Sequence, residues 1–389
     1  MSTLTITAPT APTIQSLLCT PAGELLFTAP EEMREGAETM PLRILDYPWH
    51  QAHAYRLHAL PAEFWFLTSY HTHRKVLWDE SQRPIPPNFM GGIDSDEISP
   101  DRFDLALLHL DQWCDDSVRV PYRALPFRRV NVLARDIPRI VIMHGTPDSS
   151  LNRRRILQMI GDLPVVCNSF QAAQEWDGDE GRLDRYGLPQ FRAIIHGYNV
   201  DEFWSAPLAG REIEIATVCS GGTISRQYHG LPLLERLVRD VPLAWYGPTG
   251  NRKWMSNYAA YREMLARTLV YFSPTRRAPM PGARSEAMLS GCCVVTVPGN
   301  DAEIFVEHGW TGYVVESYVE ARDTLRGLLA DPKRAYRVGQ AGRETARAAF
   351  GRERYVAEWM NVLGEIGVGQ GARGGGRLGL TTGGGFVVS

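Results

Sequence analysis

The sequence predicts an α/β protein built as two Rossmann-like domains facing each other across a cleft. Three observations carry that expectation. Apolar runs of strand length recur with helical or loop stretches between most of them, the pattern of a parallel sheet with crossover helices. The rhythm occurs twice, once before and once after Pro207. A chain of 389 residues is also too long for one ordinary core and suits two.

In the first series, Leu42 to Tyr47 reads as a strand and His50 to Leu60 as the helix after it. Phe64–Leu67, Asp104–Leu110, Arg139–Met143, Pro164–Cys167 and Phe191–Ile195 are further strands. The second series offers Ile213–Cys219, Pro242–Tyr246, Leu269–Phe272, Cys293–Val297 and Tyr313–Val315. Its helices include Leu231–Arg239, Tyr258–Arg267 and Ser285–Ser290, and a last helix runs from about Arg352 to Ile366. The expected organisation is an extension over 1–40, a first Rossmann-like domain over 41–205 and a second over 206–350. A helix over 351–366 crosses back to the first domain, and a glycine-rich tail over 367–389 is too poor in apolar side chains to pack.

Composition narrows the function classes. With 44% hydrophobic and 22% charged residues the chain is globular rather than disordered, and a net charge of −3 gives no general affinity for nucleic acid or acidic membranes. No apolar run is long enough to span a bilayer. The N-terminus lacks a cationic start followed by an apolar core, so the expectation is a cytoplasmic protein, peripheral to a membrane if its acceptor lies there. Six cysteines form no CxxC pair, and Cys167, Cys219, Cys292 and Cys293 sit in apolar runs, which points to buried free thiols.

Ligands of open parallel sheets bind beyond the carboxyl ends of the strands. Three stretches lie there: Met143-His144-Gly145-Thr146, Cys219 to Thr223, and Pro279 to Glu286. The second is a glycine turn, with Gly221 and Gly222, that opens onto a helix and has Arg226 and His229 close behind. Such a turn can bring amides to a phosphate, although a plain tight turn looks the same. In the third, a Pro/Gly loop leads through Gly282, Ala283 and Arg284 into Ser285-Glu286-Ala287-Met288. Glu286 there either satisfies the helix dipole or grips both hydroxyls of a ribose.

The run from Tyr271 to Val315 resembles the donor-binding half of family-four glycosyltransferases. Phe272-Ser273-Pro274, Glu286-Ala287-Met288, Gly291, Val294-Val295, Glu303 and Gly309-Trp310-Thr311-Gly312 follow that family's order and spacing. Ile194 to Phe203 is similar to its interdomain segment, and Val166-Cys167-Asn168-Ser169 to the strand before it. The resemblance covers residues 140–360 and implies a GT-B fold and sugar transfer with retention, without a metal. It implies a nucleoside diphosphate sugar as co-substrate, a UDP-sugar by preference, and no other cofactor. Two departures stand out: the first acid of the family's Glu-x7-Glu falls at Ala278, and its phosphate-binding Arg and Lys fall near Thr223 and His229. Arg226 or the Arg276-Arg277 pair is then the candidate substitute.

The resulting assignment gives the catalytic positions to His144, His109 and Asp111, with His144 against the transferred sugar and the other two orienting an acceptor hydroxyl. Donor binding falls to Glu286, Gly222, Arg226, His229, Gly282, Ala283 and Arg284. Acceptor binding falls to His50 and His53, which follow the first strand with Asp46, and to Arg153, Arg154 and Arg155. The last three end a stretch, Arg119 to Arg155, holding nine arginines against two aspartates and no lysine. It is either a solvated face or a surface for a polyanionic acceptor: DNA with a hydroxymethylated base, or a lipid at an anionic membrane. A catalytically silent GT-B module that binds nucleotide or glycan, and a nucleotide-sugar epimerase, are the alternatives.

Overall fold

The computed structural model describes residues 41–47, 49–68, 78–115, 122–219 and 226–369. The expected extension over 1–40, most of the glycine-rich tail, Arg119 and the turn holding Gly222 lie outside the described residues.

Two parallel sheets form, each closed by its own core. The first takes β1 (Leu42–Asp46), β2 (Ala62–Leu67), β3 (Phe89–Ile93), β4 (Leu105–Leu110), β5 (Arg139–Met143), β6 (Val165–Cys167) and β7 (Phe191–Ala193) in the order β3-β2-β1-β4-β5-β6-β7. Helices α1 (Gln51–Leu57), α2 (Leu125–Leu133), α3 (Ser150–Ile160) and α4 (Phe170–Asp177) lie among them. The second sheet takes β8 (Ile213–Val218), β9 (Leu243–Tyr246), β10 (Thr268–Ser273), β11 (Cys293–Thr296) and β12 (Tyr313–Val314) in the order β12-β11-β10-β8-β9. Its helices are α5 (Leu231–Leu237), α6 (Tyr258–Ala266), α7 (Gly282–Leu289), α8 (Ala302–Phe305), α9 (Tyr318–Ala330) and α10 (Pro332–Ala349), before the final α11 (Arg352–Glu365).

Every residue of β4, LALLHL, is buried, because helices cover both faces of a parallel sheet and leave no polar side. The polar His109 in that run therefore needs a partner inside the fold. Edge strand β3, FMGGI, is absent from the sequence expectation: its two glycines and half-exposed pattern give no apolar run to recognise. Helix α10 packs on β11 through small residues. A Cβ on Gly339 would stand 2.4 Å from the Gly291 carbonyl oxygen, so only glycine lets the helix approach this closely.

Helix α11 crosses back as expected. Tyr355, Trp359, Val362 and Leu363 bury against Ile44, Leu57, Phe64, Leu107 and Ile142 of the first domain. Arg354 fastens the crossing by donating from Nη2 to the carbonyls of Ile195 (3.0 Å) and His196 (3.1 Å). Val368, assigned from sequence to the tail, joins this core, because its amide bonds back to the Leu363 carbonyl at 2.9 Å. The described cysteines, Cys114, Cys167, Cys219, Cys292 and Cys293, are buried free thiols.

Candidate active site

Strand order reverses between β1 and β4 in the first sheet and between β8 and β10 in the second. Such reversals splay the flanking loops apart and open a crevice at the strands' carboxyl ends. Here the two crevices face each other across one cavity of about 860 Å³.

The wall from the first domain is a histidine cluster over a buried acid. Asp46 ends β1, fully buried, and its Oδ1 meets His109 Nε2 at 2.7 Å. His109 Nδ1 meets His144 Nε2 at 2.8 Å. The His53 ring lies edge-on to His144 with centroids 4.8 Å apart and 5.7 Å from His196. His50 stacks over His144 at 6.1 Å. His50, His53, His144 and His196 line the cavity, whereas His109 stands behind His144. Both ring nitrogens of His53 and Nδ1 of His196 are buried without a protein partner, as expected of groups reserved for a polar ligand.

Burial holds His53 and His196 well below the usual imidazole range, helped by His144 beside the first and Arg56 beside the second. Burial among Phe64, Phe66 and Trp78 likewise lowers His58 to about 4. Unfolded, each group would titrate near 6.5 and so bind more protons than the native state below that pH. Stability should therefore be complete above about pH 6.5 and fall toward pH 4, by up to about 1.4 kcal/mol per pH unit for each group. Thermal midpoints measured from pH 7.5 to 4.5 check this, and a flat profile would contradict it.

The opposite wall is the loop after β10 and the first turn of α7. Gly282 and Ala283 line the cavity at a helix N-terminus, where the first amides have no carbonyl partner within the helix. His229 also lines it. Arg284 reaches the lining too, but its Nη2 donates to the Asn300 carbonyl at 2.6 Å and burial lowers it to about 10. The candidate substitute cations differ in position. Arg277 lines the cavity, donating to the Pro147 carbonyl at 2.7 Å and to Glu175 at 3.3 Å. Arg226 is not among the lining residues and pairs with Glu235 at 2.6 Å on the surface. At the position of the missing acid, the Ala278 amide donates to Asn300 Oδ1 at 2.9 Å.

Glu286 is buried and its carboxylate is fully engaged. Oε1 accepts from Arg56 Nη2 and Arg83 Nη2, both at 3.1 Å, and Oε2 from the Tyr261 hydroxyl at 2.6 Å. The two arginines come from the first domain, so this acid also ties the halves together. A Cβ on Gly282 would stand 2.5 Å from Arg56 Nη2, so glycine there leaves room for the guanidinium. Arg56, Arg83, Tyr261 and His196 were missed as site residues in the sequence. Arg56 lies three residues after His53 and so on the same helical face, a signal that could have found it. Arg83 sits in a loop with no local pattern to mark it.

Asp111 does not stand free to orient an acceptor. Its Oδ1 caps the Gln112–Cys114 turn through the Trp113 amide, and its Oδ2 accepts from Arg123 Nε at 2.9 Å. Asp111 and Arg123 both line the cavity, with Arg123 4.7 Å above the Trp49 ring. None of Arg153, Arg154 and Arg155 lines it. Arg153 closes the end of α4 by donating to the Trp176 carbonyl at 2.8 Å and to Glu180 at 2.7 Å. Arg154 is exposed, and Arg155 lies 4.0 Å from Asp115. Among the described residues, no group of three or more His, Cys, Asp or Glu is placed to hold a metal ion, and no helix is long and apolar enough to cross a membrane.

Residues 226–361, less than half of the chain, match the family described as glycosyl transferase-like. No curated protein matches the chain in sequence. Among solved structures, Anabaena HepE in complex with UDP-glucose superposes with a TM-score of 0.60 at 15% identity, over 83% of this chain and 99% of that one. Sucrose-phosphate synthase from Thermosynechococcus elongatus gives 0.56 at 14% identity, over 84% and 98%. A glycosyltransferase from Rickettsia africae gives 0.57 at 12% identity, over 84% and 99%. The chain has the GT-B fold that these structures share.

Proposed function

We propose that this GT-B chain transfers a hexose from a nucleoside diphosphate sugar, a UDP-sugar by preference, to an acceptor hydroxyl with retention of configuration. The observation that carries the proposal is the single cavity shared by two facing switch points, with a cationic, amide-lined wall opposite a wall of neutral histidines. The diphosphate sits against the α7 N-terminus and Arg277, where developing charge on the leaving group is stabilised without a cation. The sugar lies toward His144 and His53. HepE was solved with UDP-glucose in the same fold, which supports the choice of donor. Hydrolysis of UDP-glucose without acceptor should be measurable and should survive excess EDTA. Binding without any turnover would favour the silent module, and loss on chelation with recovery in Mg²⁺ would overturn the metal-independent mechanism.

The silent module draws on one observation of its own: Glu286 is occupied by two arginines and a tyrosine rather than left open to a ribose. The polyanionic acceptor rests on a smaller patch than the sequence implied. Arg123 and Arg153 serve internal contacts, and Arg139 bonds Asn131. Arg128, Arg129, Arg154 and Arg155 lie on α2 and α3, Arg155 near Asp115, with Val132 and Leu151 exposed on the same helices. Basic side chains interleaved with exposed apolar ones suit a lipid acceptor at an anionic membrane better than DNA.

A further inference from the structure

We infer that Asp46 and His109 are positioning residues which fix the proton of His144 on Nε2, so that His144 presents a lone pair on Nδ1 to a substrate hydroxyl. The assignment follows the chain of hydrogen bonds outward from the buried acid. Asp46 Oδ1 already accepts from the Tyr47 amide at 2.6 Å, so it is an acceptor toward His109 as well. His109 Nε2 therefore carries a proton. A neutral imidazole holds only one, which leaves His109 Nδ1 as an acceptor. The 2.8 Å contact with His144 Nε2 then requires the proton to be on His144. His144 is in turn held neutral, since burial and the neighbouring His109 and His50 keep it well below the usual imidazole range. Its remaining nitrogen, Nδ1, is bare and belongs to a ring that lines the cavity.

His109 is pinned at its backbone by Tyr47, and its buried ring packs against the same residue. Its amide donates to the Tyr47 hydroxyl at 2.7 Å, that hydroxyl donates back to the His109 carbonyl at 3.1 Å, and the Tyr47 ring packs edge-on at 4.9 Å. A carboxylate behind one imidazole thus sets the hydrogen-bonding sense of a second imidazole, as outer-shell partners do elsewhere. The consequence is selective: His144 accepts from a hydroxyl and rejects a group that offers only lone pairs.

The role in transfer rests on the proposed function, but the tautomer does not, and the experiment separates them. Nitrogen-15 NMR of the histidine-labelled full chain at pH 7.5 should show His144 protonated on Nε2 and bare on Nδ1. In Asp46→Leu no acceptor faces His109 Nε2, and a bare nitrogen there costs less than a buried unpaired N–H, so the His109 proton moves to Nδ1, donates to His144 Nε2 and leaves the His144 proton on Nδ1. Transfer or donor hydrolysis should then fall about 10- to 100-fold in kcat with KM for the nucleotide sugar little changed. A wild-type His144 protonated on Nδ1, which would mean a cationic His109, overturns the inference, as does an unchanged tautomer in a folded Asp46→Leu. If the wild type turns over no nucleotide sugar, the functional reading fails while the NMR result still decides the tautomer. Where Asp46→Leu does not fold, Asp46→Asn supplies the second case: the Tyr47 amide keeps its carboxamide oxygen at the Oδ1 position, the His144 proton stays on Nε2, and a proton moved to Nδ1 overturns the inference.

Discussion

Glu286→Gln should lower the stability of the folded chain by about 3–5 kcal/mol, the scale of breaking a buried charge pair from one side. The carboxylate faces two guanidinium groups, and Arg56, Arg83 and Glu286 are all largely buried. A carboxamide keeps the shape but leaves two positive charges facing each other without the negative one between them. Arg56→Met in the same chain should recover part of the loss, because it removes one of the stranded cations. Donor affinity gives the second readout. If Glu286 also reaches the ribose once the donor displaces an arginine, affinity for UDP-glucose falls by roughly 1–3 kcal/mol, the value of a charged hydrogen bond. Denaturation and calorimetric titration of the single and double variants separate the two roles. Full affinity in a destabilised Glu286→Gln would assign the acid to domain closure alone.

Glu286 also shows where reading from sequence stops. A Pro/Gly loop running into a helix is a local pattern, and both form, but the helix starts at Gly282 rather than Ser285, so Glu286 lies beyond its first turn. Its partners are Arg56 and Arg83, more than two hundred residues away, and no local pattern encodes a contact across two domains. The same division holds throughout. Strands β4 and β5 were legible because burial on both faces makes continuous apolar runs. His109 and His144 were legible as polar residues at strand ends, and His50 and His53 as neighbours of β1 at the expected switch point. The direction in which a charged side chain turns was not legible. Arg153 looked like part of a basic surface and instead closes the end of α4, where carbonyls lack partners. Asp111 lines the cavity, but its carboxylate is turned to a turn cap and to Arg123, a direction the sequence did not show. An arginine or aspartate satisfies whichever backbone or charge it reaches first in three dimensions, and composition over a segment cannot rank those choices.

Arg277 and Arg226 provide the sharpest functional test, because the sequence assigned the diphosphate to Arg226, with the Arg276-Arg277 pair as the other candidate, and the fold puts only Arg277 of these on the cavity. Arg277→Gln should reduce kcat for donor hydrolysis or transfer by about 10²–10³, the range for removing one donor to a charge that develops in the transition state. Its guanidinium borders the cavity beside the first turn of α7, partly exposed, and its present partners, the Pro147 carbonyl and Glu175, leave other N–H groups for phosphate oxygens. Thermal stability should change little, since a half-exposed ion pair contributes only about 0–1 kcal/mol. Arg226→Gln breaks an exposed pair with Glu235 outside the cavity and should leave both kcat and KM within about twofold, consistent with an exposed pair's small energy. Equal losses in the two variants would place the diphosphate on the α5 side of β8 rather than against Arg277. Lysine at 277 refines the result: it restores charge without the planar fork, so a large residual defect in Arg277→Lys means that two phosphate oxygens are held at once.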